Sequence, residues 1–159
     1  MGKLPFGVDI VNLIDDLKVL SWEVSDILLY YAQLIRNPDN LNEIITSNKN
    51  TDPVTKADLE VNELIIKRIN QKYADVNWNI LSEENTKLKV DFPNKQSDWL
   101  WILDPLDGTK DFIQGTGNYA MHLALHHKNK PLLGIVLLPH KNELWIANKD
   151  IVWCEKRNG

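Results

Sequence analysis

The sequence predicts an α+β domain in which N-terminal helices pack on a mainly antiparallel sheet. Three observations carry this expectation. Apolar residues recur at three- and four-residue steps through the first part of the chain, short strand-like apolar runs fill the last part, and polar breakers separate the runs.

The elements follow in order. Between Val8 and Ile35, the residues Ile10, Leu13, Ile14, Leu17, Leu20, Val24, Ile27, Leu28, Tyr31, Leu34 and Ile35 form one apolar stripe, which predicts one long helix or two in sequence. Asp9, Asp15, Asp16, Lys18, Glu23 and Asp26 in the same stretch exclude a membrane span. A loop is expected at Asn37-Pro38-Asp39-Asn40. Thr55 is placed to cap a second helix, with Asp58 at its third position in a capping-box-like pattern and Val61, Leu64, Ile65 and Ile69 as its buried stripe up to about Tyr73. Val76 to Ser82 reads as a strand ending in Glu83-Glu84. Trp99-Leu-Trp-Ile-Leu is a continuous apolar run, which reads as a strand covered on both faces whose pairing Pro105 stops. A charged turn, Asp104-Pro105-Leu106-Asp107, leads into Gly108-Thr109, which can open a helix. Tyr119, Met121, Leu123 and Leu125 alternate up to a turn at Lys128-Asn129-Lys130, and strands at 131–138, 143–147 and 151–154 complete a meander. No internal repeat, linker or low-complexity segment interrupts the pattern.

Composition narrows the function. The 159 residues are enough to bury a real core, and 43% hydrophobic with 25% charged residues is globular, not disordered. A net charge of −4 with scattered Lys and Arg argues against a nucleic-acid polymer as partner. The single Cys154 leaves neither a disulfide framework nor a cysteine metal site, which fits a cytoplasmic protein. The first residues show no export signal, and Phe6 stands where a myristoylation signal has Ser or Thr.

The chemistry concentrates in the acidic turns. Asp104 and Asp107, three apart with the Leu106 carbonyl between them, offer hard oxygen ligands to a divalent cation. The N–H groups of a helix starting at Gly108-Thr109 face a phosphate beside them. Glu83-Glu84 supplies a second acidic site and Asp58 a third acid. Each has a plainer alternative: Asp58 as a helix cap, Glu83 and Glu84 as solvated loop acids, Asp104 and Asp107 as turn formers. His122, His126 and His127 lack paired ligand spacing and read as structural or exposed, not as zinc ligands. The six Trp residues read as core.

The order Val54-Thr55-Lys56-Ala57-Asp58, Ser82-Glu83-Glu84 and Asp104-Pro105-Leu106-Asp107-Gly108-Thr109 resembles the inositol monophosphatase superfamily of magnesium-dependent, lithium-sensitive phosphatases, over about residues 8 to 155. The continuation Thr109-Lys110-Asp111-Phe112 is similar to the 3'(2'),5'-bisphosphate nucleotidase branch; inositol monophosphatases more often have Asn before the Phe. The resemblance implies the first half of the layered sugar-phosphatase fold. It implies Mg²⁺ held by Glu83, Asp104, Asp107 and the Leu106 carbonyl, with Glu84 less well determined as a ligand. Thr109 with Glu83 would position and deprotonate a water, Asp58 would orient Thr109, and the Gly108 and Thr109 amides would bind phosphate oxygens.

The implied reaction is phosphomonoester hydrolysis of a small phosphorylated substrate, adenosine 3',5'-bisphosphate first, with inositol monophosphatase or fructose-1,6-bisphosphatase-like activity as alternatives. A haloacid-dehalogenase-type enzyme ranks low, because its strand-end acids are separated by one residue and these by two. Full-length superfamily members continue into a second α/β layer that adds a metal-ligating Asp after Trp, and nothing in 112–159 matches that motif. Residues 1–159 are therefore expected to form an N-terminal metal-binding phosphatase domain with the C-terminal domain absent. An uncovered sheet edge or face would then invite a homo-oligomer, and a catalytically silent half-domain that binds metal or ligand is the alternative from another class.

Overall fold

The computed structural model describes residues 4–49, 52–88 and 96–158. Helix α1 (Ile10–Ile35) is one continuous helix, capped by the Asp9 carboxylate, which accepts from the Asn12 N–H at 3.0 Å. A 3-10 turn at Pro38–Asn40 and the single turn α2 (Leu41–Ile44) follow. Helix α3 (Lys56–Lys72) starts at Thr55 with a complete capping box, as the Thr55/Asp58 spacing predicts. Short helices α4 (Glu83–Leu88) and α5 (Thr109–Gln114) sit at the two acidic segments.

Strands β1 (Ile45–Lys49) and β2 (Asp52–Thr55) form an antiparallel pair. That pair was not anticipated, because Ile45-Thr46-Ser47-Asn48-Lys49 has no apolar alternation to mark it. The main sheet has six strands in sequence order: β3 (Asn79–Ser82), β4 (Trp99–Asp107), β5 (Ala120–His127), β6 (Lys130–Leu138), β7 (Glu143–Asn148) and β8 (Ile151–Lys156). Only β3 and β4 run parallel; the other neighbours are antiparallel, as expected of a meander. Helices come first and a mainly antiparallel sheet afterwards, which is the α+β architecture the sequence predicts.

Alternation decides which face is covered. Trp101, Leu103, Met121, Leu123, Leu125, Leu133, Ile135, Leu137, Leu144 and Ile146 are buried and join Leu13, Leu17, Leu20, Val24 and Leu28 of α1 and Val61, Ile65 and Ile69 of α3 in one core. An edge-to-face series Tyr73–Trp78–Trp101, each step 5.3 Å between ring centroids, closes the α3 end. The two helices are fastened by Arg68 to Glu23 at 2.6 Å, by Lys72 to Asp16 at 2.9 Å, and by the Tyr73 hydroxyl donating to Asp16.

Three expectations are corrected. Strand β4 is not covered on both faces: Ile102, one residue out of phase with Trp101 and Leu103, is 38% exposed. Pro105 does not end the strand, because pairing with β5 skips between Asp104 and Asp107, so the missing N–H falls at an irregularity that needs no donor. The Trp residues are not uniformly core: Trp78, Trp99 and Trp101 are buried, whereas Trp145 lies on the opposite face and is 41% exposed. No helix among the described residues is long and apolar enough to cross a membrane.

Candidate active site at the β3 and β4 ends

The site is assembled from the ends of two parallel neighbours. Strand β3 pairs with β4 through Ser82↔Leu103, so Glu83, the next residue, lies beside Asp104. The corner at Ser82 is pinned by Asn62, a buried residue of α3: the Ser82 hydroxyl donates to the Asn62 side-chain oxygen, and the Asn62 amide donates to Asn85 at 2.7 Å. Glu83 is exposed, while Glu84, next in sequence, is buried. Helix geometry turns successive residues by about 100°, so the two acids of this pair take opposite environments.

Asp104 has one oxygen fixed by its own turn, where Oδ1 accepts from the Leu106 N–H at 3.2 Å. Partial burial, a hydrogen bond to Glu83 and the charges of Glu83 and Asp107 together push its pKa up to about 7, against the pull of the Leu106 amide. The hydrogen bond and the like charges crowd the two carboxyls at this corner. The same crowding is relieved by a divalent cation, which is the donor chemistry expected of hard oxygen ligands. Among the described residues no three His, Cys, Asp or Glu side chains are already gathered into a chelating cluster, so the donors share one corner without being collapsed onto a point.

Asp58 approaches the turn from α3. It is 1% exposed, and its Oδ2 accepts from the Thr55 N–H at 2.9 Å and the Thr55 hydroxyl at 2.6 Å. Its Oδ1 accepts from the Thr109 hydroxyl at 3.1 Å. Burial raises its pKa, and the hydrogen bonds from Thr55 and Thr109 oppose the rise. Cap and site partner are thus one side chain. The Thr109 hydroxyl also lies 3.2 Å from the Leu106 carbonyl, so its single proton is shared between the two acceptors.

Gly108 bridges β4 and α5 with φ +83°, and a Cβ there would stand 2.6 Å from the Asn118 carbonyl oxygen. Only glycine fits both the left-handed backbone and this close approach. The Phe112 N–H is the first to bond back, to the Gly108 carbonyl at 2.9 Å, so the amides between them project from the turn without a helical acceptor. Lys110 is exposed, and Asp111 accepts from the Thr116 hydroxyl at 2.9 Å, which ties the loop after α5.

Thus Asp58, Glu83, Asp104, Leu106, Asp107, Gly108 and Thr109 all come to one corner. Reading the sequence missed one neighbour. His122 stands directly opposite Asp104 in the β4–β5 register, with Nε2 4.0 Å from Asp107 Oδ2. It and Glu83 and Asp104 line the end of an open groove of about 770 Å³, whose other walls are apolar and include Ile102, Val136 and Trp145. A helix separates β4 from β5, so no turn signal in the sequence could have set that register.

Residues 16–152 match the model of the inositol monophosphatase family. The chain is 34% identical over 116 residues to the 3'(2'),5'-bisphosphate nucleotidase CysQ of Escherichia coli K12, covering 70% of this chain and 44% of that protein. Its fold matches the crystal structure of the extragenic suppressor protein suhB from Bartonella henselae with a TM-score of 0.75 at 20% identity, over 92% of this chain and 53% of the other. The Thermotoga maritima IMPase matches with a TM-score of 0.69 at 26% identity, over the same shares. The chain spans about half the length of these relatives.

Proposed function

The chain belongs to the inositol monophosphatase family, and on that premise we propose that the corner at the β3 and β4 ends serves Mg²⁺-dependent phosphomonoester hydrolysis. The observation that supports this most is the Asp58–Thr109–Leu106 hydrogen-bonded series set beside the Glu83–Asp104 carboxyl pair.

Glu83, Asp104, Asp107 and the Leu106 carbonyl would hold the metal. Bound there, a divalent cation lowers the pKa of a water and offsets charge on the leaving oxygen. The chain's own residues do the rest. With the Leu106 carbonyl among the residues that would hold the metal, the Thr109 hydroxyl would donate to Asp58 alone. Its oxygen would then accept from the attacking water, and Glu83 would take that water's second proton. Asp58 keeps the hydroxyl pointed, being itself locked by the Thr55 capping box. The Gly108 and Thr109 amides would bind the phosphate oxygens. No covalent intermediate is needed. Li⁺ would inhibit by taking a magnesium position.

For substrate, 34% identity to CysQ and the Lys110-Asp111 pair favour a 3'(2'),5'-bisphosphate nucleotide, adenosine 3',5'-bisphosphate in the first place. Inositol 1-phosphate is the second reading, favoured by the 26% identity to the Thermotoga IMPase. The free thiol Cys154 fits a reducing cytoplasm. Calorimetric titration with Mg²⁺ should show binding that Asp104→Asn removes, and equal binding by the variant would place the metal elsewhere. Phosphate release from the two substrates, measured on this chain and on any longer chain containing it, separates the branches: a large preference for inositol 1-phosphate would defeat the nucleotidase reading and leave the metal site standing.

A further inference from the structure

We propose that Asn62 is a positioning residue for Glu83: from α3 it holds the strand-to-helix corner that sets the Glu83 carboxyl beside Asp104. The inference rests on the functional reading above and adds a residue that touches neither metal nor substrate in that reading.

Asn62 stands four residues after Asp58 on α3, so the two side chains lie one turn apart on the same face. That face is otherwise apolar, with Ala57, Val61, Ile65 and Ile69 buried. An amide placed there costs stability unless its hydrogen bonds are made. Asn62, 6% exposed, makes them to the corner between β3 and α4. Its side-chain oxygen accepts from the Ser82 hydroxyl, and its amide nitrogen donates to Asn85 Oδ1 at 2.7 Å. These partners are the last residue of β3 and the third of α4, one on each side of Glu83. A single planar amide therefore ties the chain before and after that acid.

The corner needs such a tie. Helix α4 has six residues, too few to hold its own N-terminus in place, and β3 is four residues long at the end of the strand order. Pairing sets Ser82 opposite Leu103, but it does not set the direction in which the chain leaves the strand. Asp58 meanwhile reaches Thr109 from the same face of α3. One helix thus carries both attachments, to the Thr109 side of the site and to the Glu83 side, and their separation is fixed at about 6 Å along its axis.

Calorimetric titration with Mg²⁺ tests this in wild type, Asn62→Ala and the milder Asn85→Ala, which removes one arm of the tie. Ile65→Val, a core change on the same helix, shows what loss of packing alone does to binding, and circular dichroism melts check that each variant is folded. Asn62→Ala should weaken Mg²⁺ binding about 10-fold or more, Asn85→Ala should weaken it in the same direction, and Ile65→Val should leave it unchanged. In a Glu83→Gln background, which itself weakens binding, Asn62→Ala should have no further effect because it acts through that carboxylate. If Asn62→Ala does not fold, Asn85→Ala alone and with Glu83→Gln carries the same comparison. Wild-type affinity in the Asn62 and Asn85 variants, with Glu83→Gln still weakened, would overturn the role of Asn62 alone. So would a loss that persists undiminished in the Glu83→Gln background. Absence of Mg²⁺ binding by wild type would overturn the metal reading together with it.

Discussion

Gly108→Ala tests the turn on which the whole site hangs. An L-residue at φ +83° pays for the left-handed conformation about 1–2 kcal/mol. The new methyl would also stand 2.6 Å from the Asn118 carbonyl oxygen. That oxygen cannot simply withdraw. The Asn118 N–H donates to the Thr116 hydroxyl at 3.1 Å, and the adjacent Tyr119 is buried with its ring 4.9 Å from that of Phe112. Overpacking against a fixed group costs about 1–3 kcal/mol more, so the total is about 2–5 kcal/mol. For a domain of this size each kcal/mol lowers Tm by about 2–4 °C, which predicts a fall of roughly 4–20 °C. Gly115→Ala is the control, because Gly115 has φ +76° but nothing within 4 Å of the added Cβ. It should lose the conformational part alone, roughly 2–8 °C by the same scaling. Thermal melts of the two variants beside wild type, followed by circular dichroism, measure the difference. If Gly108→Ala melts within experimental error of Gly115→Ala, the Asn118 carbonyl yields freely and the packed-turn reasoning is refuted.

Asp58→Ala removes a helix cap and the Thr109 partner together, so chemical denaturation should show a loss of about 1–3 kcal/mol; Asp58→Asn, which keeps a side-chain acceptor, should recover part of that stability, and equal losses in both would deny the acceptor role. Trp101→Ala empties a fully buried site in the Tyr73–Trp78–Trp101 series and should cost about 3–5 kcal/mol, read in the same experiment. Asp104 of the metal-free chain has its folded pKa raised to about 7, above the ordinary carboxylate value of 3.8. Its contribution is therefore fully present below about pH 4 and lost as pH rises through about 7, and solvent screening at this partly exposed carboxyl limits the loss to about 1–2 kcal/mol. Melts at pH 4 and pH 8 should show that loss in wild type without metal but not in Asp104→Asn, and a pH-independent difference between the two proteins would exclude it.

What could be read without a structure was local. The Thr55/Asp58 capping box is an i, i+3 pattern, and the Asp104-to-Thr109 turn is six consecutive residues with its Pro and Gly in place. The long apolar stripe of α1 and the alternation of β5 to β7 are likewise patterns within one element. These features carried the α+β class and the acidic corner.

The remainder depended on contacts between segments far apart in the chain. Thr109 reaches Asp58 across 51 positions, a pairing that the family resemblance implies and that no local spacing announces. Strand β4 reads as buried on both sides because its run is continuously apolar, yet Ile102 opens onto the groove, since hydrophobicity records what a face prefers and not what covers it. His122 looked like an isolated strand histidine. Its place opposite Asp104 follows from a register that α5 and its following loop set, and a slip of one residue would have turned it to the buried face. The sequence by itself determined which residues have the chemistry and which local turns hold them; the tertiary structure decided which of them meet, because pairing register and face exposure are properties of the packed sheet and not of any single strand.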